Sequence, residues 1–152
     1  MKSRILARLL LLSSVAFPTV TSFAETKDVN PEIKVEPVLE DQTANKDSKL
    51  SDQFSVICLV NNTDVGMNFR WWVTSSQDVY LPAGYQQTFS WNDTGAHSIT
   101  VRYNADLSGG VAWKTYSLQA GAAPFPDCQY GRKYQFSKVG SRWVEIYQGI
   151  TP

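Results

Sequence analysis

His97 is the only histidine in the chain, and it lies four residues after Asp93. Histidine is the usual general base near neutral pH, and an acidic partner together with a serine hydroxyl would complete a hydrolytic triad. Ser90 and Ser98 are nearby, but neither a G-x-S-x-G nor an H-E-x-x-H motif is present. In an alternating strand, His97 would lie on the same side as Ile99, Val101 and Tyr103, which are expected to face the core. This position favours a structural role for the histidine. We therefore assign no catalytic residue, and His97 and Asp93 stay as candidates only.

Metal and carboxylate chemistry has little support in the sequence. The two cysteines and the one histidine are too far apart in the chain to match a zinc site. Residues 104–109 begin like a calcium loop, but Thr115 stands where such a loop needs its bidentate glutamate, so we interpret them as a hairpin turn. The acidic residues of the C-terminal part fall mostly in turns, whereas a glycosidase needs two carboxylates about 5–10 Å apart across a cleft. No metal and no cofactor is predicted.

The aromatic residues are the clearest excess, with five Trp and seven Tyr. Alternation with apolar neighbours assigns Trp71, Trp91 and Tyr103 to the core. Other aromatic residues fall on the face opposite the apolar rows, where a ring offers a sugar or a partner protein a large contact area at low entropic cost. The residues predicted to form such a contact surface are Arg70, Trp72, Trp143 and Tyr147. The alternative is packing against loops or a second protomer, since exposed apolar patches are uncommon on monomers.

Residues 1–24 are typical of a secretory signal peptide. Lys2, Arg4 and Arg8 form a positive start, residues 5–12 form an apolar run, and Ser22 and Ala24 supply the small residues that a signal peptidase recognises. The apolar run is too short for a membrane anchor, which needs about 20 apolar residues, and no later segment meets that length. We predict cleavage after Ala24 and a periplasmic or secreted product.

Residues 25–52 are predicted to be a flexible acidic arm, because they contain two prolines, no aromatic residue and an excess of acids. Ile33, Val35 and Val38 would suit a short edge strand, which is the alternative for that stretch. At Gln53 the composition changes, and all of the Trp and Tyr residues lie beyond this point. Residues 53–152 are predicted to be the single folded domain.

Short alternating segments separated by turn residues fill the domain. The first segment, residues 54–60, is apolar on both faces, as expected at the centre of a sheet. About eight such segments and no convincing helix predict an all-β fold, a single antiparallel β-sandwich. An immunoglobulin-like topology is the alternative, because Trp71 follows Cys58 at a similar spacing in that fold. However, Pro126 stands two residues before Cys128, where that fold has the Tyr of its corner.

Cys58 and Cys128 are the only cysteines, so one intramolecular disulfide is available. Export favours its formation, and closing a loop of about 70 residues would stabilise the fold by roughly 4 kcal/mol. The bond would join either the two sheets or neighbouring strands. Two free thiols or an intermolecular bridge are the alternatives.

Four short runs resemble a pattern in small exported β-sandwich proteins of Gram-negative bacteria. They are C-L-V-N-N-T at 58–63, L-P-A-G at 81–84, K-x-Y-x-L at 114–118 and C-x-x-G-x-x-Y-x-F at 128–136. The resemblance covers the domain from Gln53 onward and implies a β-sandwich and export. That group has no established activity, so the resemblance implies no functional residues.

The leading functional hypothesis is a non-enzymatic binding module outside the cytoplasm that contacts a glycan, an envelope component or a host protein. The alternatives are a small secreted hydrolase that uses His97 and a membrane-binding β protein with aromatic residues in the lipid interface. A nucleic-acid partner is not expected, because the domain has seven basic and six acidic residues and no basic stripe. The ligand and the oligomeric state stay open.

Overall fold

The computed structural model describes residues 30–38 and 51–149, which form ten β-strands and no helix. The strands are β1 (Glu32–Pro37), β2 (Phe54–Asn62), β3 (Met67–Trp72), β4 (Ser76–Leu81), β5 (Tyr85–Trp91), β6 (Ser98–Asn104), β7 (Trp113–Gln119), β8 (Gly121–Ala123), β9 (Arg132–Val139) and β10 (Trp143–Gln148). The predicted all-β fold is confirmed. Two strands go beyond the eight expected, namely β1 and the three-residue β8. The predicted signal peptide and its cleavage site lie outside the described residues.

The strands form two sheets. The six-stranded sheet has the order β1-β5-β2-β9-β10, with β8 beside the start of β2, and the four-stranded sheet has the order β4-β3-β6-β7. β2 and β9 run parallel, while the other strand pairs are antiparallel. The chain crosses between the sheets after β2, β4, β5 and β7. These crossings bring the two sheets face to face, as in a β-sandwich.

The core lies between the sheets and is rich in aromatic side chains. Trp71 of β3 packs edge-on against Phe89 of β5, with ring centroids 5.2 Å apart. Tyr103 of β6 packs in the same way against Phe136 of β9, also at 5.2 Å. Trp91 is buried as well, so the three aromatic residues that alternation assigned to the core all lie there. These contacts hold the inner strands of one sheet to those of the other.

β2 is buried on both faces, as its sequence predicts. Ile57 and Leu59 face the core, whereas Cys58 points away from it, on the side that it shares with Thr88 of β5. The predicted Cys58–Cys128 disulfide forms on this outer side, with the two Cα atoms 4.9 Å apart. It ties β2 to the loop between β8 and β9, and it does not join the two sheets.

This placement of the disulfide bears on the immunoglobulin alternative. That fold packs a core tryptophan against a disulfide between its sheets. Here Trp71 lies in the core, while Cys58 and Cys128 form a separate buried cluster with Val60. The described residues therefore lack the hallmark contact of the immunoglobulin fold. The disulfide itself fits a protein that works in an oxidising compartment outside the cytoplasm.

β1 is an edge strand that lies within the segment predicted to be an arm. Its six residues pair with β5, yet Ile33 is 37 % and Val35 is 47 % exposed. Pro37 ends the strand, a position where the missing N–H is tolerated. Main-chain hydrogen bonds thus hold β1 in place more than side-chain burial does. Within the described ranges, no helix has the length and apolar character to cross a membrane.

The outer faces of the two sheets are covered very differently. Residues 124–131 lie over the six-stranded sheet, and a Cβ added to Gly131 would lie 2.6 Å from Cγ1 of Val56. Gln86 and Thr88, on the same outer side, are buried. On the four-stranded sheet, the outward residues of β3 and β6 are exposed or half-buried. The four-stranded sheet therefore presents an open face to solvent.

Candidate functional site

The open face of the four-stranded sheet is organised in three rows that run across its strands. On β3, the burial of alternate side chains turns Asn68, Arg70 and Trp72 outward. The register pairs these three residues with outward residues of β4, and it pairs Arg70 and Trp72 with outward residues of β6. Asn104, the next outward residue of β6, pairs with Trp113 of β7. We call the rows the aromatic row (Tyr80, Asn68, Asn104, Trp113), the charged row (Asp78, Arg70, Arg102, Thr115) and the hydroxyl row (Ser76, Trp72, Thr100, Ser117).

The aromatic row has an exposed ring at each end. Tyr80 on β4 is 61 % exposed and Trp113 on β7 is 55 % exposed. Three interstrand spacings separate their strands, which corresponds to roughly 14 Å between the two backbones. The two rings line a shallow cleft of about 480 Å³, whose lining also includes Asn68, Arg70 and Arg102. This volume is within the range of about 300–1,000 Å³ that is usual for sites that bind small molecules.

The charged row crosses the middle of the face. Arg70 donates two hydrogen bonds to Asp78, from Nε to Oδ1 at 2.8 Å and from Nη2 to Oδ2 at 2.7 Å. This fork lowers the pKa of Asp78 and raises the pKa of Arg70. Arg102 lies directly opposite Arg70 on β6, and its guanidinium lies over the Trp113 ring, 4.8 Å from the centroid. The row thus combines a neutralised ion pair with a second guanidinium.

Asn104 belongs to the aromatic row but serves the turn after β6. Its Nδ2 donates to the Gly110 carbonyl at 2.8 Å, and its Oδ1 accepts from the backbone N–H of Asp106 and of Ala112 at 3.1 and 2.8 Å. The side chain therefore fixes the path of residues 105–112, which lead directly into Trp113. Asn68, by contrast, is exposed and makes no side-chain hydrogen bond to the described residues.

The segment that begins like a calcium loop is a turn between β6 and β7. Oδ1 of Asp106 accepts from the Ser108 hydroxyl and from Arg142, and its Oδ2 accepts from Arg142 at 2.7 Å. Arg142 and Ser108 hold the pKa of Asp106 well below its usual range. Among the described residues, no group of three or more side chains suited to a metal is found.

The structure brings His97 and Asp93 together. Nε2 of His97 lies 2.7 Å from Oδ1 of Asp93, and the imidazole ring stacks on Trp91 with centroids 4.7 Å apart. The same Asp93 oxygen accepts from the Gly95 N–H at 2.6 Å. The Ser55 hydroxyl, which also reaches this turn, donates to the Gly95 carbonyl. Within the described ranges His97 has no hydrogen bond to a hydroxyl or thiol, so the cluster holds the turn between β5 and β6 and has no nucleophile in place.

The four residues predicted to form a contact surface lie on two different sheets. Arg70 and Trp72 are on the open face, and Trp72 is half-buried there. Trp143 and Tyr147 point outward from β10, at the edge of the six-stranded sheet. Trp143 also carries the Arg142 guanidinium over its ring, at 4.7 Å.

Sequence reasoning missed three residues of the open face. Tyr80 lies between two inward apolar residues, so alternation alone places it outside. Arg102 alternates with Val101 and Tyr103, which places it outside, but its functional interest depends on its contact with Trp113 of the next strand. That neighbour can be identified only from the sheet register, which no local pattern contains.

Comparisons with protein-family models, curated proteins and solved structures found no match to this chain.

Proposed function

We propose that this protein is a non-enzymatic binding module and that the open face of its four-stranded sheet binds a carbohydrate. The observation that carries the proposal is the pair of exposed rings, Tyr80 and Trp113, at the two ends of one cleft. An aromatic ring packs well against the apolar C–H face of a sugar. Between the rings, Arg70, Asp78 and Asn68 supply the donors and acceptors that sugar hydroxyls need. The rings at the ends of the cleft thus match the apolar C–H faces of a sugar, and the polar floor matches its hydroxyl groups.

The charged row favours a sugar over a protein partner. The centre of a protein–protein interface is depleted of charged residues, apart from Arg. Here an exposed Arg70–Asp78 ion pair lies in the middle of the face. A protein covering it would have to desolvate both charges, which is costly unless every hydrogen bond is replaced. Sugar hydroxyls can replace those bonds, because each hydroxyl both donates and accepts.

The compartment suggested by the disulfide fits the same proposal. A protein that reaches the periplasm or leaves the cell through a cleaved signal peptide meets envelope and surface polysaccharides. The distance of roughly 14 Å between the strands of the two rings suits an oligosaccharide better than a single sugar. We therefore expect the ligand to be a polymer segment.

Glycan-array binding by the purified protein, followed by calorimetry of the best ligand, tests the proposal. Tyr80→Ala and Trp113→Ala should each weaken binding about tenfold, or roughly 1.4 kcal/mol. Far-ultraviolet circular dichroism should not change, because both rings lie outside the core.

Tyr147→Ala is the matched control, since it removes an exposed ring from the other sheet. If Tyr147→Ala or Trp143→Ala weakens binding while Tyr80→Ala and Trp113→Ala do not, the binding surface is on β10. An array with no signal for any glycan contradicts the proposal.

A further inference from the structure

We propose that the carbohydrate bound by the open face is acidic, and that its carboxylate or sulfate group binds Arg102. This inference rests on the proposed function and adds the charge of the ligand. It follows from the charges of the charged row and from the way in which Arg102 is held.

The charged row contains two guanidinium groups and one carboxylate. Asp78 uses both of its oxygens on Arg70. Arg102 has no carboxylate within 4 Å among the described residues, although most of the domain's other cations are paired. Because Asp78 neutralises Arg70, the guanidinium of Arg102, directly opposite Arg70 on β6, leaves the charged row with one uncompensated positive charge in the free protein. An anion bound to Arg102 would balance this charge.

The side chain of Arg102 is also preorganised to bind an anion in the free protein. Its guanidinium lies over the Trp113 ring, with Cζ 4.8 Å from the centroid. This cation–π contact restricts the side chain, and the guanidinium makes no hydrogen bond to another side chain of the described residues, so its N–H groups can donate to a ligand. That planar fork matches the two oxygens of a carboxylate or a sulfate, and charge-assisted bonds of this kind are the strong ones. Trp113 is still 55 % exposed, so a sugar can contact the ring beside the anion.

The position of Arg102 sets the place of the acidic group on the ligand. Arg102 and Trp113 lie on β6 and β7, and Tyr80 lies on β4 at the far side of the face. The sugar that carries the anion is therefore expected at the Trp113 end. The next sugar units of the same polysaccharide would extend across Asn68 toward Tyr80.

Two matched pairs of polymers distinguish the carboxylate from the sulfate. Calorimetry of the purified protein compares polygalacturonate with its fully methyl-esterified form, and dextran sulfate with dextran. The acidic member of at least one pair should bind at least tenfold more tightly than its neutral partner. The pair that shows this difference identifies the anion.

Three variants locate the effect on Arg102. Arg102→Gln should weaken binding of the acidic polymer at least tenfold. Asp78→Asn should strengthen it, because Arg70 loses its intramolecular partner and becomes available to the ligand. Arg132→Gln makes the same change of charge on β9 of the other sheet and should leave the affinity unchanged.

The outcomes separate this inference from the proposed function. Equal binding of acidic and neutral polymers, with loss in Trp113→Ala but not in Arg102→Gln, overturns the acidic ligand and leaves the carbohydrate site intact. Equal loss in Arg102→Gln and Arg132→Gln overturns the inference, since attraction would then be spread over the surface. Failure of all four polymers, with a blank glycan array, overturns both proposals.

Discussion

The buried polar side chain of Asn61 stabilises the connection between β2 and β3, where the chain passes from one sheet to the other. It is 0 % exposed, near the end of β2. Its Nδ2 donates to the carbonyls of Val65 and Leu81 at 2.8 and 2.9 Å. Its Oδ1 accepts from the N–H and the hydroxyl of Thr63 at 3.1 and 2.7 Å. The amide thus closes the turn that leads to β3 and holds the end of β4 against it.

Asn61→Ala should lower the free energy of unfolding by about 1–3 kcal/mol, because the buried Leu81 carbonyl loses this donor and an unsatisfied buried group costs about that much. Urea denaturation measures the change. Asn62→Ala, at the exposed neighbouring position, should stay within about 0.5 kcal/mol of the native protein. Equal effects of the two substitutions would show that the Asn61 hydrogen bonds do not stabilise the fold.

At the scale of elements, the turn between β6 and β7 joins the two sheets at one end. Ala105 accepts from the Val144 N–H at 2.9 Å, and the Leu107 N–H donates to the Arg142 carbonyl at 2.8 Å. The ion pair between Asp106 and Arg142 reinforces this contact with the β9–β10 hairpin. Because Trp113 follows the turn directly, the turn also sets where one end of the cleft lies.

The Asp106–Arg142 pair predicts a pH dependence. The pKa of Asp106 is lower in the folded than in the unfolded protein, mainly because Arg142 donates to the carboxylate. The stabilisation is therefore complete above the unfolded pKa of about 4, and it is lost as the pH falls through the folded pKa. Asp106→Asn should lower the melting temperature at pH 7, and its deficit relative to the native protein should shrink below a pH of about 4.

Thermal unfolding from pH 7 down to pH 2 measures this deficit. Asp52→Asn, at an exposed position before β2, is the control and should show no deficit at any pH. A deficit in Asp106→Asn that stays constant across the range would mean that the Asp106 charge adds nothing to stability.

The elements that the sequence predicted well are those held by side-chain burial. Alternation marks β3 and β6 because their inward residues fill the core, and a continuous apolar run marks β2 because both of its faces are buried. Alternation marks β1 and β8 poorly, because β1 exposes most of its side chains and β8 has three residues. These two strands are held mainly by main-chain hydrogen bonds to a neighbouring strand. Such bonds do not depend on side-chain type, so the local sequence does not indicate them.

The candidate site was predicted only in part, for a related reason. Arg70 and Trp72 are identifiable because they alternate with core residues of their own strand. Placing Arg102 opposite Arg70, and Trp113 beside Arg102, requires the order and register of three strands. Trp143 and Tyr147 have the same local pattern as Trp72 but lie on the other sheet. Alternation tells which side of a strand a residue occupies, and the sheet assignment decides which surface it joins.

At the scale of the whole molecule, the two sheets have different roles. The six-stranded sheet is covered on its outer side by residues 124–131, which the disulfide holds at Cys128. The four-stranded sheet uses its inner side for the core and leaves its outer side open. The disulfide and the proposed binding face thus lie on opposite sides of the sandwich.

Removal of the disulfide should therefore affect stability more than binding. The Cys58→Ala/Cys128→Ala protein should lose roughly 4 kcal/mol of unfolding free energy, as expected for cysteines 70 residues apart. Guanidinium denaturation measures the loss. Molecules of this variant that stay folded should bind the ligand with unchanged affinity, because Cys58 lies on the other sheet. A change below about 1 kcal/mol would show that the outer loop is held without the bond.

The five indole N–H resonances allow the most direct test of where the ligand binds. In a two-dimensional NMR titration with the tightest-binding oligosaccharide of the array, the Trp113 resonance should shift most and the Trp143 resonance should stay in place. The buried Trp71 and Trp91 should move little. A shift at Trp143 with Trp113 unmoved would contradict binding at the open face of the four-stranded sheet.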